Sequence, residues 1–161
     1  MRKDLEILQQ GMLNEVEGAI YYRMAAEKAD DQQIKANFLA LAEEEDTHYV
    51  YLQRMVKAIT DDLPLDFDRF VSQADSPNIF EWDKRKVDKP ELLVTLYGVA
   101  LQNEKKSIAF YRDKQKEVES EDVLNLLKQL EAWEQTHLDH FVPLYDFYKE
   151  QWWYAQSFEP F

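Results

Sequence analysis

Six ionisable residues recur in this chain in a pattern that could hold metal ions. Four of them form two copies of a Glu-x-x-His motif, and each copy follows another glutamate by 30 residues. The six are Glu15, Glu45, His48, Glu104, Glu134 and His137. On a helix, Glu-x-x-His places its side chains about 60° apart and about 4.5 Å along the axis, so both can reach one ion. Such a mixture of carboxylate and imidazole suits iron or manganese, and zinc would also bind.

The charge of these residues indicates two cations. Each of the six fills a gap in an apolar helical stripe, so its side chain should point into the core. A buried carboxylate without a partner costs several kcal/mol, and four of them at one level would also repel each other. Two divalent ions would balance the four negative charges. Two Glu-x-x-His pairs with one Glu from each of two other helices make up the ligand set of di-iron carboxylate bundles.

Two tyrosines follow the helix glutamates at the same distance. Tyr22 and Tyr111 each lie seven residues after Glu15 or Glu104, on the same helical face. Buried hydroxyl groups need hydrogen-bond partners, and carboxylates are near. We interpret these tyrosines as hydrogen-bond donors to the metal ligands, with ordinary core packing as the alternative.

Four predicted helices must position these residues, because apolar side chains recur at helical spacing. The predicted helices span about 3–29, 31–59, 90–118 and 121–149. Residues 60–89 break the pattern, and we expect a long crossover that packs its aromatic side chains on the bundle and has room for a short helix. Residues 150–161 form a predicted aromatic tail. This order predicts one all-α domain over residues 1–161, a four-helix bundle of two antiparallel pairs.

The two halves of the chain also repeat at an offset of 89 residues. Glu15 corresponds to Glu104, and the four residues 20–23 are similar to the four residues 109–112. Residues 41–48 likewise match residues 130–137. The matching positions include every member of the proposed ligand set. Neighbouring acidic residues fall outside the apolar stripes and are expected on a solvated face. They are Glu43, Glu44, Asp46 and Glu131.

Composition excludes several other classes of protein. The chain of 161 residues has 19 basic and 32 acidic residues, a net charge of −13, which argues against a nucleic-acid or anionic-membrane partner. It contains no cysteine, so disulfides, cysteine-based metal sites and thiol nucleophiles are excluded. No apolar run is long enough to span a membrane, and the first residues lack the apolar core of a signal peptide. We therefore expect a cytoplasmic protein.

The sequence resembles the rubrerythrin branch of the ferritin-like superfamily. The resemblance covers the four predicted helices. It rests on Glu15 with Tyr22, Glu45-Asp46-Thr47-His48, Glu104, and Glu134-Gln135-Thr136-His137. It implies a ferritin-like bundle with a non-haem di-iron centre. It also implies that Glu45 and Glu134 bridge or flank both metals and carry the catalysis through them.

The same resemblance implies roles for the other ligands and for partners. His48 and His137 would each cap one metal, with Glu15 and Glu104 as terminal ligands. Known activities of the family include peroxide reduction, ferrous oxidation by O₂ or peroxide, and iron handling. An external electron donor, such as a rubredoxin-like protein, and a homodimer are the implied partners.

The sequence departs from the rubrerythrin pattern at two points. Rubrerythrins carry a further Glu one turn after the third-helix Glu, and that position is Ser107 here. They also carry a rubredoxin domain that binds its iron through cysteines, and this chain has none. A full rubrerythrin-type peroxidase cycle is therefore in question, and electrons must come from a separate donor.

Several functions remain open from the sequence. The leading prediction is an oxidoreductase with two irons that oxidises ferrous iron, reduces peroxide or O₂, or does both. The alternative is an iron protein without catalysis, which buffers the metal or delivers it. A metal-free interaction bundle, storage of mineral in a hollow cage, and oxidation of an organic substrate are further alternatives.

Overall fold

Four long helices and a short one make up most of the chain that the structure describes. The structure is a computed structural model, and it describes residues 1–72, 84 and 87–156. The helices are α1 (Arg2–Lys28), α2 (Gln32–Thr60), α3 (Phe67–Phe70), α4 (Pro90–Lys114) and α5 (Glu121–Ala155). α1 packs along α2, and α4 packs along α5. The prediction of an all-α, ferritin-like bundle built from two helix pairs is confirmed.

Local sequence signals set where these helices begin. The Asp31 carboxylate accepts hydrogen bonds from the backbone N–H of Gln33 and Ile34, at 2.9 and 3.0 Å, and so caps α2. Ser120 caps α5 through the N–H of Val123. Pro90 occupies the first turn of α4, where its missing N–H has no helical partner to lose.

The apolar core consists of two clusters. One contains Tyr22, Phe38, Tyr97 and Phe141, and the other contains Leu8, Leu52, Leu127 and Leu130 with their neighbours. Along α1 and α2, the glutamates of the predicted site lie between the residues of one cluster and those of the other. The bundle therefore carries a polar layer between two apolar ends.

The helix ends differ from the sequence prediction in the second half of the chain. α4 ends at Lys114 rather than 118, because residues 115–117 form a turn. α5 runs through Pro143 and continues to Ala155, so the first six residues of the predicted tail are helical. A proline removes one hydrogen bond from a helix, and the packing of Phe141, Leu144 and Tyr148 holds the helix together around it.

The crossover is described in part. Residues Phe67–Phe70 form α3, and Val71 is buried in the second apolar cluster with Leu65, Phe67 and Phe70 packed beside it. The crossover aromatics Phe80 and Trp82 lie outside the described residues. None of the helices in the described ranges is long and apolar enough to cross a membrane.

Candidate metal centre

All six predicted site residues are buried, and the structure brings them together. Each side chain is at most 4% exposed. They form two overlapping groups that share the glutamates Glu45 and Glu134, and within each group the four candidate donor atoms lie within 4.8 Å of one another. The first group adds Glu15 and His48, and the second adds Glu104 and His137. The clustering follows from the helical period, since each residue takes one position of an inward stripe on its own helix.

The first group is arranged around the Nδ1 atom of His48. This atom lies 3.1 Å from Glu134 Oε1, 3.3 Å from Glu15 Oε2 and 3.9 Å from Glu45 Oε2. Three different helices supply these carboxylates. One imidazole nitrogen and three carboxylate oxygens thus face a common point.

The second group repeats this arrangement around His137. Its Nδ1 atom lies 3.4 Å from Glu104 Oε1, 3.6 Å from Glu45 Oε1 and 3.9 Å from Glu134 Oε2. The two imidazole rings are 6.2 Å apart between centroids. Glu45 and Glu134 each turn one oxygen toward either histidine, which is the placement that a pair of bridging carboxylates requires.

The two tyrosines connect the halves crosswise. Tyr22, on α1, donates its hydroxyl hydrogen to Glu104 Oε1 on α4, and Tyr111, on α4, donates to Glu15 Oε1 on α1. Each hydrogen bond engages one carboxylate oxygen, and Oε2 of Glu15 and of Glu104 makes none within the described part of the chain. Each tyrosine therefore fixes the orientation of one glutamate and leaves the second oxygen of that carboxylate available to a metal ion.

The electrostatics of the cluster reflect crowded negative charge. Burial, with repulsion from the other carboxylates, raises the pKa of Glu45 and of Glu134 well above the ordinary value. Burial also acts to raise the pKa of Glu15, but contacts with the proton-bearing Glu45 and with His48 lower it overall. Burial disfavours the charged form of His137, yet Glu104 and its neighbours raise the pKa of this imidazole to about 10. Without a bound cation, side chains of this polar layer must bind protons to offset the negative charge of the carboxylates.

The donor atoms fit a pair of metal ions. Six buried atoms of the cluster have no hydrogen-bond partner within the described ranges, one from each of the six residues. Native proteins pair nearly all buried polar groups. Six unpaired donor atoms at one level of the bundle therefore indicate a site for bound metal ions. Four carboxylates and two imidazoles are hard and intermediate ligands that suit iron, manganese or zinc.

A cavity between α1 and α4 reaches this cluster. It has a volume of about 160 Å³, and Glu45, Glu104 and Glu134 line its inner part. Gly18 and Ser107, which correspond at the 89-residue offset, also line it. A Cβ atom at Gly18 would lie 3.4 Å from the Glu45 carboxyl group, in van der Waals contact, so a side chain at this position would occupy space beside the cluster. The serine that replaces the additional rubrerythrin Glu lines the same opening.

Two residues in contact with the histidines were not identified from the sequence. Glu44 was expected on a solvated face, but its side chain is only 11% exposed and its Oε2 lies 3.0 Å from His137 Nε2. Trp133 stacks on His48 with ring centroids 4.9 Å apart and an angle of 5° between the planes. Both lie one position before a site glutamate, so the 89-residue repeat was the signal that could have drawn attention to them.

The comparison with protein families agrees with this geometry. The model of the rubrerythrin family matches residues 6–145, a range that contains all six clustered residues and both tyrosines. The chain belongs to the rubrerythrin family. This membership implies an iron-binding protein of the di-iron carboxylate kind, and the buried cluster is a site that could hold the metal.

Comparison with solved structures agrees about the fold of this rubrerythrin family member. A hypothetical protein from Pyrococcus furiosus is similar with a TM-score of 0.70 and 20% sequence identity, over 92% of this chain and 91% of that one. At this identity the similarity concerns the fold alone. No curated protein matches the chain significantly in sequence.

Proposed function

We propose that this protein is a non-haem di-iron oxidoreductase that oxidises ferrous iron, reduces peroxide or O₂, or does both. The observation that carries the proposal is the set of six orphaned donor atoms in the buried layer, one from each of the six predicted ligands. Two of the carboxylates are shared between the groups, as a dinuclear centre needs. Glu15, Glu45, His48 and Glu134 would hold one ion.

The second ion would be held by Glu45, Glu104, Glu134 and His137. When bound, a pair of irons supplies two-electron redox chemistry toward O₂ or peroxide. Iron is the metal that family membership supports, and manganese or zinc are the alternatives that the donor atoms would accept.

The chain's own residues prepare the site for that chemistry. Tyr22 and Tyr111 fix the orientation of Glu104 and Glu15 through their hydrogen bonds. The apolar clusters on both sides of the layer keep bulk water away and so strengthen each charge interaction inside it. The cavity beside Gly18 and Ser107 has enough volume, about 160 Å³, to hold a molecule as small as O₂ or peroxide.

The balance of the reaction defines the partner that the protein needs. Reduction of one hydrogen peroxide to two waters takes two electrons and two protons. The protons come from solvent through the cavity, and the electrons come from ferrous substrate or from an external donor such as a rubredoxin-like protein. The absence of cysteine leaves this chain no iron–sulfur or rubredoxin-type centre of its own.

Peroxide consumption by iron-loaded protein tests the proposal. The wild type should turn over many equivalents of peroxide when a reductant is in excess, and the Glu45→Ala Glu134→Ala variant should not, because it lacks both shared carboxylates. Glu43→Ala is the control, since it removes an exposed glutamate from α2, the helix that carries Glu45. Metal analysis of each sample establishes loading.

Two results would contradict catalysis at this centre. Equal rates for the wild type and the double variant would place the activity elsewhere. Iron uptake at two ions per chain without turnover would instead support the alternative, a protein that buffers iron or delivers it.

A further inference from the structure

The two halves of the candidate metal centre differ at one pair of corresponding positions. Glu44 and Trp133 correspond at the 89-residue offset, and each directly precedes one of the shared glutamates. The Glu44 carboxylate contacts His137, whereas the Trp133 indole contacts His48. Each of these side chains therefore reaches the histidine of the opposite half of the chain. His137 is therefore in contact with a charged carboxylate, and His48 is in contact with an uncharged ring.

Glu44 acts on His137 through the ring nitrogen that faces away from the cluster. Its Oε2 is 3.0 Å from Nε2, while Nδ1 of the same ring faces Glu104 and Glu45. A carboxylate in this place accepts the Nε2 hydrogen, keeps the Nδ1 lone pair directed at the ion position and makes the imidazole a stronger ligand. It also adds a negative charge close to that ion.

Trp133 acts on His48 in a different way. Its ring is 6% exposed and nearly parallel to the imidazole, which fixes the plane of His48 by packing. An indole ring adds no negative charge and accepts no hydrogen from the imidazole nitrogen. The half with His48 therefore receives orientation from this neighbour but no electrostatic support.

We propose that Glu44 makes the two ion positions unequal, so that the position formed with His137 and Glu104 binds the first metal ion and the position formed with His48 and Glu15 binds the second, more weakly. This inference rests on the proposed metal centre. It assigns Glu44 as a positioning residue, which acts on the metal through His137.

Titration of the metal-free protein with Co²⁺ tests the order of binding. Absorption of the bound cobalt counts ions per chain and gives the affinity of each binding step. The wild type should show two steps of clearly different affinity, because only one position has a carboxylate in contact with its histidine from behind. Glu15→Ala and Glu104→Ala, a matched pair at corresponding positions, assign the steps: the first variant should keep the tight step, and the second should lose it.

Glu44→Gln tests the cause of the inequality. Glutamine keeps an oxygen acceptor but removes the charge, and we expect the affinity for the first ion to fall about tenfold to a hundredfold. The affinities of the two binding steps should then lie closer together. Glu43→Gln is the matched control, because it removes the same charge from the neighbouring exposed position and should leave both binding steps unchanged. Circular dichroism of each metal-free variant establishes that the helices are intact.

The outcomes separate this inference from the proposed function. Two steps of equal affinity in the wild type, loss of the tight step in Glu15→Ala but not in Glu104→Ala, or an unchanged first affinity in Glu44→Gln would overturn the inequality and leave the metal centre in place. Failure of the wild type to bind cobalt would overturn the metal centre and this inference together.

Discussion

In the polar layer, Glu45 and Glu134 are the glutamates whose charged form is disfavoured. Both are buried, both face the other carboxylates, and the pKa of each is raised well above that of a free glutamic acid. In the metal-free protein they are held as neutral acids at the pH where a solvent-exposed glutamate has lost its proton. Binding of cations would reverse this state, because the ions favour the charged carboxylates.

We predict that the metal-free protein loses stability as the pH rises from about 5 to about 8. The folded state binds protons at Glu45 and Glu134 that the unfolded chain has already released above a pH of about 4.3, so the free energy of unfolding falls with increasing pH. His137, whose pKa is raised to about 10, acts in the same direction above a pH of about 6.5. The lowered pKa values of Glu15 and Glu104 affect stability below this range.

Thermal melts of the metal-free wild type at several pH values measure this dependence. The Glu45→Gln Glu134→Gln variant should show a clearly smaller decrease, because amides do not titrate, and it should melt at a higher temperature than the metal-free wild type near pH 8. Saturation with metal should stabilise the wild type and leave this variant unchanged. A melting temperature that rises between pH 5 and 8 in the metal-free wild type would contradict the prediction.

At the scale of the elements, Asp4 ties the start of α1 to the turn between α4 and α5. It is fully buried, and its two carboxylate oxygens accept hydrogen bonds from the backbone N–H of Glu119 and Ser120, at 2.8 and 2.9 Å. Ser120 is also the cap of α5. One side chain thus joins the first helix to the last helix pair.

We predict that Asp4→Ala lowers the free energy of unfolding by about 1–3 kcal/mol, because two backbone donors lose their charged partner. Denaturation in urea with metal-free protein measures the change. Glu6→Ala is the matched control, since this exposed glutamate pairs only with Arg2 on the same helix among the contacts described, and exposed pairs contribute little. Equal stability of Asp4→Ala and the wild type would show that the contact is not structurally important.

The helical period was sufficient to predict the long helices and the six clustered residues, but not the contacts between helices. Glu15 and Glu45 could be found because each replaces an apolar residue in the inward stripe of its own helix. Glu44 and Asp4 could not be found in this way, because each lies beside a stripe and reaches a partner outside its own helix. The ends of α4 and α5 also depend on packing between helices, which the spacing of residues in one helix does not contain.

At the scale of the whole molecule, an apolar stripe lies on the outer face of α1. Its members recur at spacings of three and four residues, and each is between 39% and 53% exposed. They are Leu13, Val16, Ile20 and Met24. The corresponding positions on α4 are mostly polar. Stripes of this kind on a protein surface often mark contacts with another protein.

The homodimer implied by the family resemblance stays a prediction, and this stripe offers a way to test it. Sedimentation should give twice the chain mass of 19.3 kDa for the wild type. Ile20→Lys should give a single chain if the stripe forms the contact, because a lysine would bury its charge there. Val99→Lys, which changes an exposed valine on α4, is the matched control. A monomeric wild type would refute the dimer.

The internal repeat has a consequence for how such a centre can be assembled. Every donor in the layer occurs twice, once in each half, and the tyrosine of either half serves the glutamate of the other. A short chain with only two helices, paired with its own copy across a twofold axis, would therefore present the whole set of donors. In a single chain the two halves need not be identical, and Glu44 and Trp133, like Gly18 and Ser107, are corresponding positions at which they differ.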